Sequence, residues 1–330
     1  MASLNGIIIK AIFCCLAFIF LIQKTDGQEQ KTIKYAIEFS TDNDALAIWD
    51  NLDRYYTFGV GPKFYLKSEK LIGFENLFSK KENYFFEFGV RSEGYTPTRQ
   101  SYTTQETKSD SLSFERPFAG LLYGTIGATY TFKRSFIKTE LLLGIMGPSS
   151  YAQEIQNWLH SQLPDSDEVE GWEYQIPDQA IININIRGAY DFLPEADWFD
   201  IYASAETRIG NLYIDATPSL GIRLGKFEPL SKSTVFGNAL IAPLKVKEFF
   251  LRSSISGTFT AFNGTAQGNL FNRDFVYAVD DLSHYHTTIS NGIYITFNKV
   301  SLGYDNIITF GKVNKDAQHI FGRLDFRYRF

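Results

Sequence analysis

The C-terminal stretch HIFGRLDFRYRF, residues 319–330, alternates strictly between two kinds of side chain. On an extended chain one face carries Ile320, Gly322, Leu324, Phe326, Tyr328 and Phe330, and the other carries Phe321, Arg323, Asp325, Arg327 and Arg329. A soluble sandwich would not usually bury a face that lies opposite four charges in one strand. A transmembrane β-barrel does place lipid on one side of each strand and a polar lumen on the other. This stretch therefore predicts an all-β, antiparallel transmembrane barrel.

The same period recurs upstream. In IININIRGAYDF, Ile182, Ile184, Ile186, Tyr190 and Phe192 oppose Asn183, Asn185, Arg187 and Asp191, and in YFFEFGVRSEGY, Phe86, Phe88 and Val90 oppose Glu87, Arg91 and Glu93. Twelve such segments are predicted, at 33–41, 54–67, 83–96, 116–132, 135–147, 179–192, 198–210, 212–225, 247–262, 284–297, 299–312 and 318–330. An even number suits a bacterial single-chain barrel, and the terminal aromatic resembles the ending of bacterial outer-membrane barrels. With both termini in the periplasm, alternate connections share a side. Those near 134, 193–197 and 298–300, with 68–82 and 226–246 as longer exceptions, fall on the periplasmic side. Those at 42–53, 97–115, 148–178 and 263–283, with a tight turn near Asn211 and a short one at 313–317, fall outside.

Composition agrees. Phe 30 and Tyr 19 bring aromatics to 16%, which suits strands with aromatic girdles, and no second apolar run reaches the roughly 18 residues of a helical span. Lys10 precedes the run AIFCCLAFIFLI (11–22), and a polar stretch ends at Gly27. That layout is a secretory signal peptide over 1–27, because a run of about 12 residues is short of the roughly 20 a span needs. Residues 28–330 are expected to form one barrel domain. Cys14 and Cys15 lie in the leader, so thiol and disulfide chemistry is not expected in the mature chain. Without the leader, 30 basic residues face 36 acidic ones, which argues against a nucleic-acid partner.

One stretch breaks the strand period. In MGPSSYAQEIQNWLH (146–160), Ser150 with Gln153 makes a capping box, and Gln153, Gln156, Asn157 and His160 fall on one helical face opposite Tyr151, Ile155, Trp158 and Leu159. An amide-rich stripe ending in histidine can line a cleft; a loop helix whose polar side meets water has the same pattern. At other outward ends, Asp42, Asn43 and Asp44, with Asp50 and Asp53 nearby, offer hard oxygen ligands suited to calcium, or are simply solvated. Thr57 falls on the lumen-facing side of the second strand, with Tyr55 and Gly59. Strand parity brings these pieces and His160 to one rim. His284, His286 and His319 read as ordinary strand residues, and NGT at 263–265 as a glycosylation pattern without meaning in a bacterial outer membrane.

Taken together, Asn43 and Asp44, DRYYTFG (53–59), RPFAG (116–120), GPSSYAQEIQNWLH (147–160), GWEYQ (171–175) and GNLY (210–213) resemble, in order, the outer-membrane lipid A 3′-O-deacylases. The resemblance runs from the first strand to the eighth; the last four strands match in length, alternation and ending. It implies a twelve-stranded barrel with a short helix in an extracellular loop and a site at the outer end. His160 would be the general base, Asn43 and Thr57 would hold the reacting carbonyl, and Asp44 would contact Ca2+. Gln156 would line the helix side of the cleft. The substrate would be lipid A, or lipopolysaccharide, in the outer leaflet, with Tyr56, Phe58 and Tyr95 near acyl chains. The chain departs from the family in the loop after the third strand, where TPTRQSYTTQETKSD replaces an adjacent Lys-Arg pair. Arg99 and Lys108 are the possible substitutes there. Phe58 also stands where the family is often polar.

Three functions fit this reading: a calcium-dependent lipid A deacylase, an outer-membrane phospholipase, and a non-enzymatic pore or structural barrel. Outer-membrane phospholipase barrels place serine and histidine on adjacent strands, whereas His160 sits on a loop helix. Side chains such as Glu87, Arg91, Arg187, Arg323 and Arg327 are expected to plug the lumen. The chain is expected in the outer membrane as a monomer.

Overall fold

The computed structural model describes residues 33–48, 55–68, 77–97, 115–161, 169–195, 198–272, 278–279, 281–313 and 318–330. The expected leader at 1–27 lies outside them, as do Asp50, Asp53, Arg99 and Lys108. The alternating segments form twelve antiparallel strands in one closed barrel. In chain order these are β1 (Tyr35–Asn43), β2 (Phe58–Lys67), β3 (Asn83–Tyr95), β4 (Ala119–Thr131), β5 (Ser135–Met146) and β6 (Gln179–Asp191). There follow β7 (Phe199–Gly210), β8 (Tyr213–Lys226), β9 (Lys247–Asn263), β10 (Tyr285–Phe297), β11 (Val300–Phe310) and β12 (Gln318–Arg329). Each pairs with its sequence neighbours, and β12 closes on β1 from Ala36↔Arg329 to Asn43↔Gly322. Closure satisfies the backbone of the wall from within the sheet, as hydrocarbon requires.

Outward side chains such as Ile37, Phe39, Val90, Ile126, Ile182 and Ile255 are exposed and apolar. Aromatic contacts mark both rims: Tyr35 with Phe64 and Phe330 at one, Phe259 with Tyr285 at the other. No helix among the described residues is long and apolar enough to cross a membrane. Among the described residues there are two α-helices, α1 (Ala152–Ser161) and a short α2 (Gly264–Gln267). The second was not expected. Its signal is the same NGT: the Asn263 side chain accepts from Thr265 N at 3.1 Å and caps the turn.

The inward face is a charged network. Asp42 takes Arg91 at 2.5 Å, Arg323 at 2.8 Å and the Tyr56 hydroxyl at 2.8 Å. Glu87 takes Lys138 at 2.6 Å and Lys63 at 3.4 Å, and Lys63 reaches Glu140 at 3.0 Å. Charges withdrawn from bulk water are tolerated when paired in this way. They leave a polar cavity of about 240 Å³, whose lining includes Lys63, Glu140, Arg187 and Asp325.

Packed groups lie at both ends of the lumen. Toward the outer end, Tyr56, Tyr95, Leu121, Met146, Tyr213 and Phe321 belong to one buried apolar cluster. At the end that carries Tyr35 and Phe330, the connection 227–246 folds inward: Leu230, Ser233, Asn238 and Leu240 are buried, and Phe236 packs on Phe136 and Tyr202. Glu248 anchors it by accepting from Glu228 N, Ser233 Oγ and Thr234 N at 2.7–3.2 Å, while Arg329 donates to the carbonyls of Ala239 and Ala242. Around that cavity the lumen is occupied by its own side chains, as expected, and also by this connection, which was expected only as a longer loop.

Candidate functional site

The expected site residues are placed by a row that crosses five adjacent strands. Register pairs Gly322 with Asn43, Asn43 with Phe58, Phe58 with Gly94, and Gly94 with Gly120. The row shares the parity of exposed Phe39, Phe64, Val90 and Ile126, so it lies on the outward face of the wall. Three glycines lower that surface. A Cβ at Gly94 would meet the Phe58 ring, and one at Gly120 would meet Ser150 Oγ and the Ala152 methyl.

Helix α1 rests on this floor. At ten residues it would be marginal alone, so packing holds it. Ala152, Ile155 and Leu159 join Phe58, Val60, Phe118, Val169 and Trp172 in one apolar cluster. Fully burying side chains of this size stabilises by about 1.5–3 kcal/mol each. The inward stripe is therefore Ala152, Ile155, Gln156 and Leu159, and not the whole apolar face read from the sequence: Tyr151 and Trp158 are exposed, and Gln156 is buried. The expected Ser150–Gln153 capping box does not form. Ser150 belongs to a 3-10 turn, Pro148–Ser150, and Tyr151 takes a left-handed φ of 56°, so the helix begins only at Ala152. The Asp178 carboxylate holds that turn through Ser149 N at 2.8 Å and Ser149 Oγ at 2.6 Å.

Asn43 and Thr57 are brought together. β1 runs to Asn43, past its expected end, and there Asn43 Nδ2 donates to the Thr57 carbonyl at 2.9 Å. Its Oδ1 accepts from Ala45 N at 2.7 Å, which starts a 3-10 turn at Asp44. Asp44 is buried and also accepts from Ala45 N. Asp42, the first member of the acidic triplet, instead faces the lumen in its ion pairs.

Thr57 precedes β2 rather than lying within it, because Tyr55 adopts φ 66° and breaks the extended period. Arg116, 1% exposed, secures this turn by donating to the Tyr55 carbonyl at 3.0 Å and to the Thr265 carbonyl at 2.8 Å. The Thr57 hydroxyl is buried and shares a hydrogen bond with Thr96 Oγ1 at 2.8 Å.

His160 lies in the last turn of α1, partly buried, one turn beyond Gln156. Gln156 accepts the Trp172 indole N–H at 2.9 Å. Trp172 itself is fully buried against Phe118, and Gly171 before it has φ 103°, with the Phe118 ring where a Cβ would stand. Phe58 is thus the link between the two halves: it is register-paired with Asn43, follows Thr57, and packs in the α1 cluster.

Tyr95 and Tyr56 do not belong to this outward face. Both lie in the lumen cluster, Tyr95 with its hydroxyl 3.0 Å from that of Tyr213 and its ring under Arg116, so neither meets acyl chains there. Phe58, also expected near acyl chains, is covered by α1. Arg99 lies outside the described residues. Arg116 and Trp172 had been quoted only within RPFAG and GWEYQ; nothing in the sequence alone assigned them hydrogen bonds.

A family model described as "Outer membrane protein LpxR" matches residues 11–330. Among solved structures, LpxR from Salmonella typhimurium is similar at a TM-score of 0.70 and 15% identity, over 89% of this chain and 100% of that one. The β domain of the Bordetella autotransporter BrkA is similar more loosely, at a TM-score of 0.42 and 11% identity, over 90% and 98% of the two chains. No curated protein matches the sequence.

Proposed function

The chain belongs to the LpxR outer membrane protein family, and on that premise we propose that it hydrolyses an acyl ester of lipid A in the outer leaflet. The observation that carries this reading is the docking of α1 on the outward face of the wall. Phe58 joins the helix bearing Gln156 and His160 to the Asn43–Thr57 pair on the side of the barrel that meets lipid. An ester of a membrane lipid reaches that side without entering the lumen.

In the proposed reaction His160 accepts a proton from water as the water oxygen attacks the ester carbonyl. The oxyanion formed collapses, the ester C–O bond breaks, and His160 returns the proton to the departing alkoxide. Asn43 and Thr57 hold the reacting carbonyl. Arg99, which follows β3 in the sequence, is proposed to meet a polar group of the lipid. Residues 1–27 serve as the export signal for a single-domain, monomeric barrel.

The donors beside Asn43 suit a hard cation. Asp44 offers a carboxylate and Asn43 an amide oxygen, so the set is oxygen-only, as calcium prefers. Among the described residues no three His, Cys, Asp or Glu side chains converge. A calcium ion would therefore rest on Asp44 with Asn43, and draw further oxygens from water and lipid. When bound it would supply positive charge to the developing oxyanion.

A pore is the less favoured reading, because the connection 227–246 and the apolar cluster around Tyr56 and Tyr95 fill the two ends of the lumen. Refolded barrel incubated with purified lipopolysaccharide tests the enzymatic reading. Free fatty acid released with calcium, and not with a chelator, is the expected result; no release in either condition would overturn it.

A further inference from the structure

Gln156 is buried and oriented in a way that its place on a polar stripe does not explain. Its side chain is 1% exposed, and its Oε1 accepts from Trp172 Nε1 at 2.9 Å. An indole nitrogen only donates, so the atom facing it is the amide oxygen and the NH2 group is turned the other way. That NH2 carries two donors, and no atom among the described residues accepts them.

The bond also explains a tryptophan held at some cost in backbone freedom. Trp172 is fully buried, and it follows Gly171 at φ 103°, a conformation that favours glycine. Its ring is clamped 5.3 Å from that of Phe118 and packs with Phe58 and Ala152. A phenylalanine would fill most of this apolar space. What it would not supply is the N–H to Gln156.

On α1, Gln156 stands one turn before His160, so the two side chains leave the helix from neighbouring positions on one face. Building on the hydrolase reading above, we propose that Trp172 is a positioning residue that holds the Gln156 amide with its NH2 toward the reacting ester, where it donates to the carbonyl oxygen. As the water oxygen bonds to the carbonyl carbon, the C=O π pair moves onto that oxygen and the water proton goes to His160. The hydrogen bond that Gln156 donates strengthens as charge builds on that oxygen. When the pair returns, the ester C–O bond breaks, the alkoxide takes the proton from His160, and the products are a fatty acid and an alcohol.

The test uses the full refolded barrel with purified lipopolysaccharide and measures kcat and KM for fatty-acid release. Gln156→Met is expected to lower kcat by about 100-fold, the scale for one oxyanion donor. Gln156→Glu, which keeps an acceptor for the indole and loses the donors, is expected to fall by a similar factor. Trp172→Phe is expected to lower kcat about 3- to 10-fold with KM little changed, and to cause no further loss in the Gln156→Met background. Heat-modifiable gel mobility reports that each barrel is folded. An active wild type with a fully active Trp172→Phe variant would overturn the proposal, as would Trp172→Phe losses that multiply with those of Gln156→Met. A wild type that releases no fatty acid would instead overturn the hydrolase reading on which the proposal rests.

Discussion

The side-chain amide of Asn43 is used at both ends: Nδ2 donates to the Thr57 carbonyl at 2.9 Å and Oδ1 accepts from Ala45 N at 2.7 Å. One residue thereby ties the end of β1 to the segment that enters β2. Asn43→Asp keeps the acceptor and turns the donor into an oxygen facing a carbonyl. The loss of a part-buried hydrogen bond and the new repulsion are expected to cost about 1–3 kcal/mol locally. Fatty-acid release should fall at least tenfold while the barrel stays heat-modifiable. Unchanged turnover would show that this tie does not serve the site.

The glycine floor predicts a different failure. A side chain at Gly120 meets Ser150 and Ala152, which sit directly above it. Gly120→Val should lift α1 from the wall without opening the β4 ladder. Limited chymotrypsin digestion of the folded variant should then cut after Leu159 and Trp172, both protected in the wild type by the α1 cluster. Equal cleavage of the two proteins would contradict this account of how the helix is held.

Much of this architecture was legible in the sequence. Period-two alternation of apolar and charged residues is the direct imprint of lipid on one side and a filled lumen on the other, so HIFGRLDFRYRF predicted both the fold and the inward Arg323, Arg327 and Arg329. Strand ends were less legible where a single residue broke the period. Tyr55 in the left-handed region shifts Thr57 out of β2, and its fixed φ leaves no trace in an alternation pattern. The helix was legible from its period, but its buried stripe was not, because that depends on Gly94 of β3 and Gly120 of β4, which precede it by more than thirty residues. The inward folding of 227–246 rests on an acceptor, Glu248, that lies in the next strand and reads there as one more inward charge, and on a donor, Arg329, that is distant in sequence.

That connection makes its own prediction. Glu248 is 2% exposed and accepts from Glu228 N, Ser233 Oγ, Thr234 N and Thr296 Oγ1. Glu248→Ala leaves these donors unpaired in a buried place, at roughly 1–3 kcal/mol for such a group. Trypsin should cut after Lys232 in the variant much faster than in the wild type, with the barrel intact. A resistant variant would mean that the connection is held in place without Glu248.

Lys312, just beyond β11, has no ion-pair partner among the described residues and lies 6.0 Å over the Tyr56 ring. Burial, with the cations of Arg208 and Arg116, pushes its ammonium down from 10.5 to about 8. A depressed lysine costs no stability above pH 10.5, where both states are neutral; the cost grows as pH falls toward 8 and is constant below it. Lys312→Met should therefore stabilise the barrel by about 1–3 kcal/mol at pH 7 and by little above pH 10.5. Urea unfolding in detergent micelles at the two pH values checks this, and a gain equal at both would contradict it.

If α1 brings His160 to the lipid-facing wall to activate water, lipid A from outer membranes carries the mark of it. Mass spectra should be compared for cells carrying the wild-type chain, the His160→Ala variant or no insert, all with calcium supplied. A species lighter by one acyl or acyloxyacyl unit is expected in the wild type alone, with both barrels present and heat-modifiable. The same loss in cells carrying the His160→Ala variant, or no loss from a correctly inserted wild-type barrel, would contradict it.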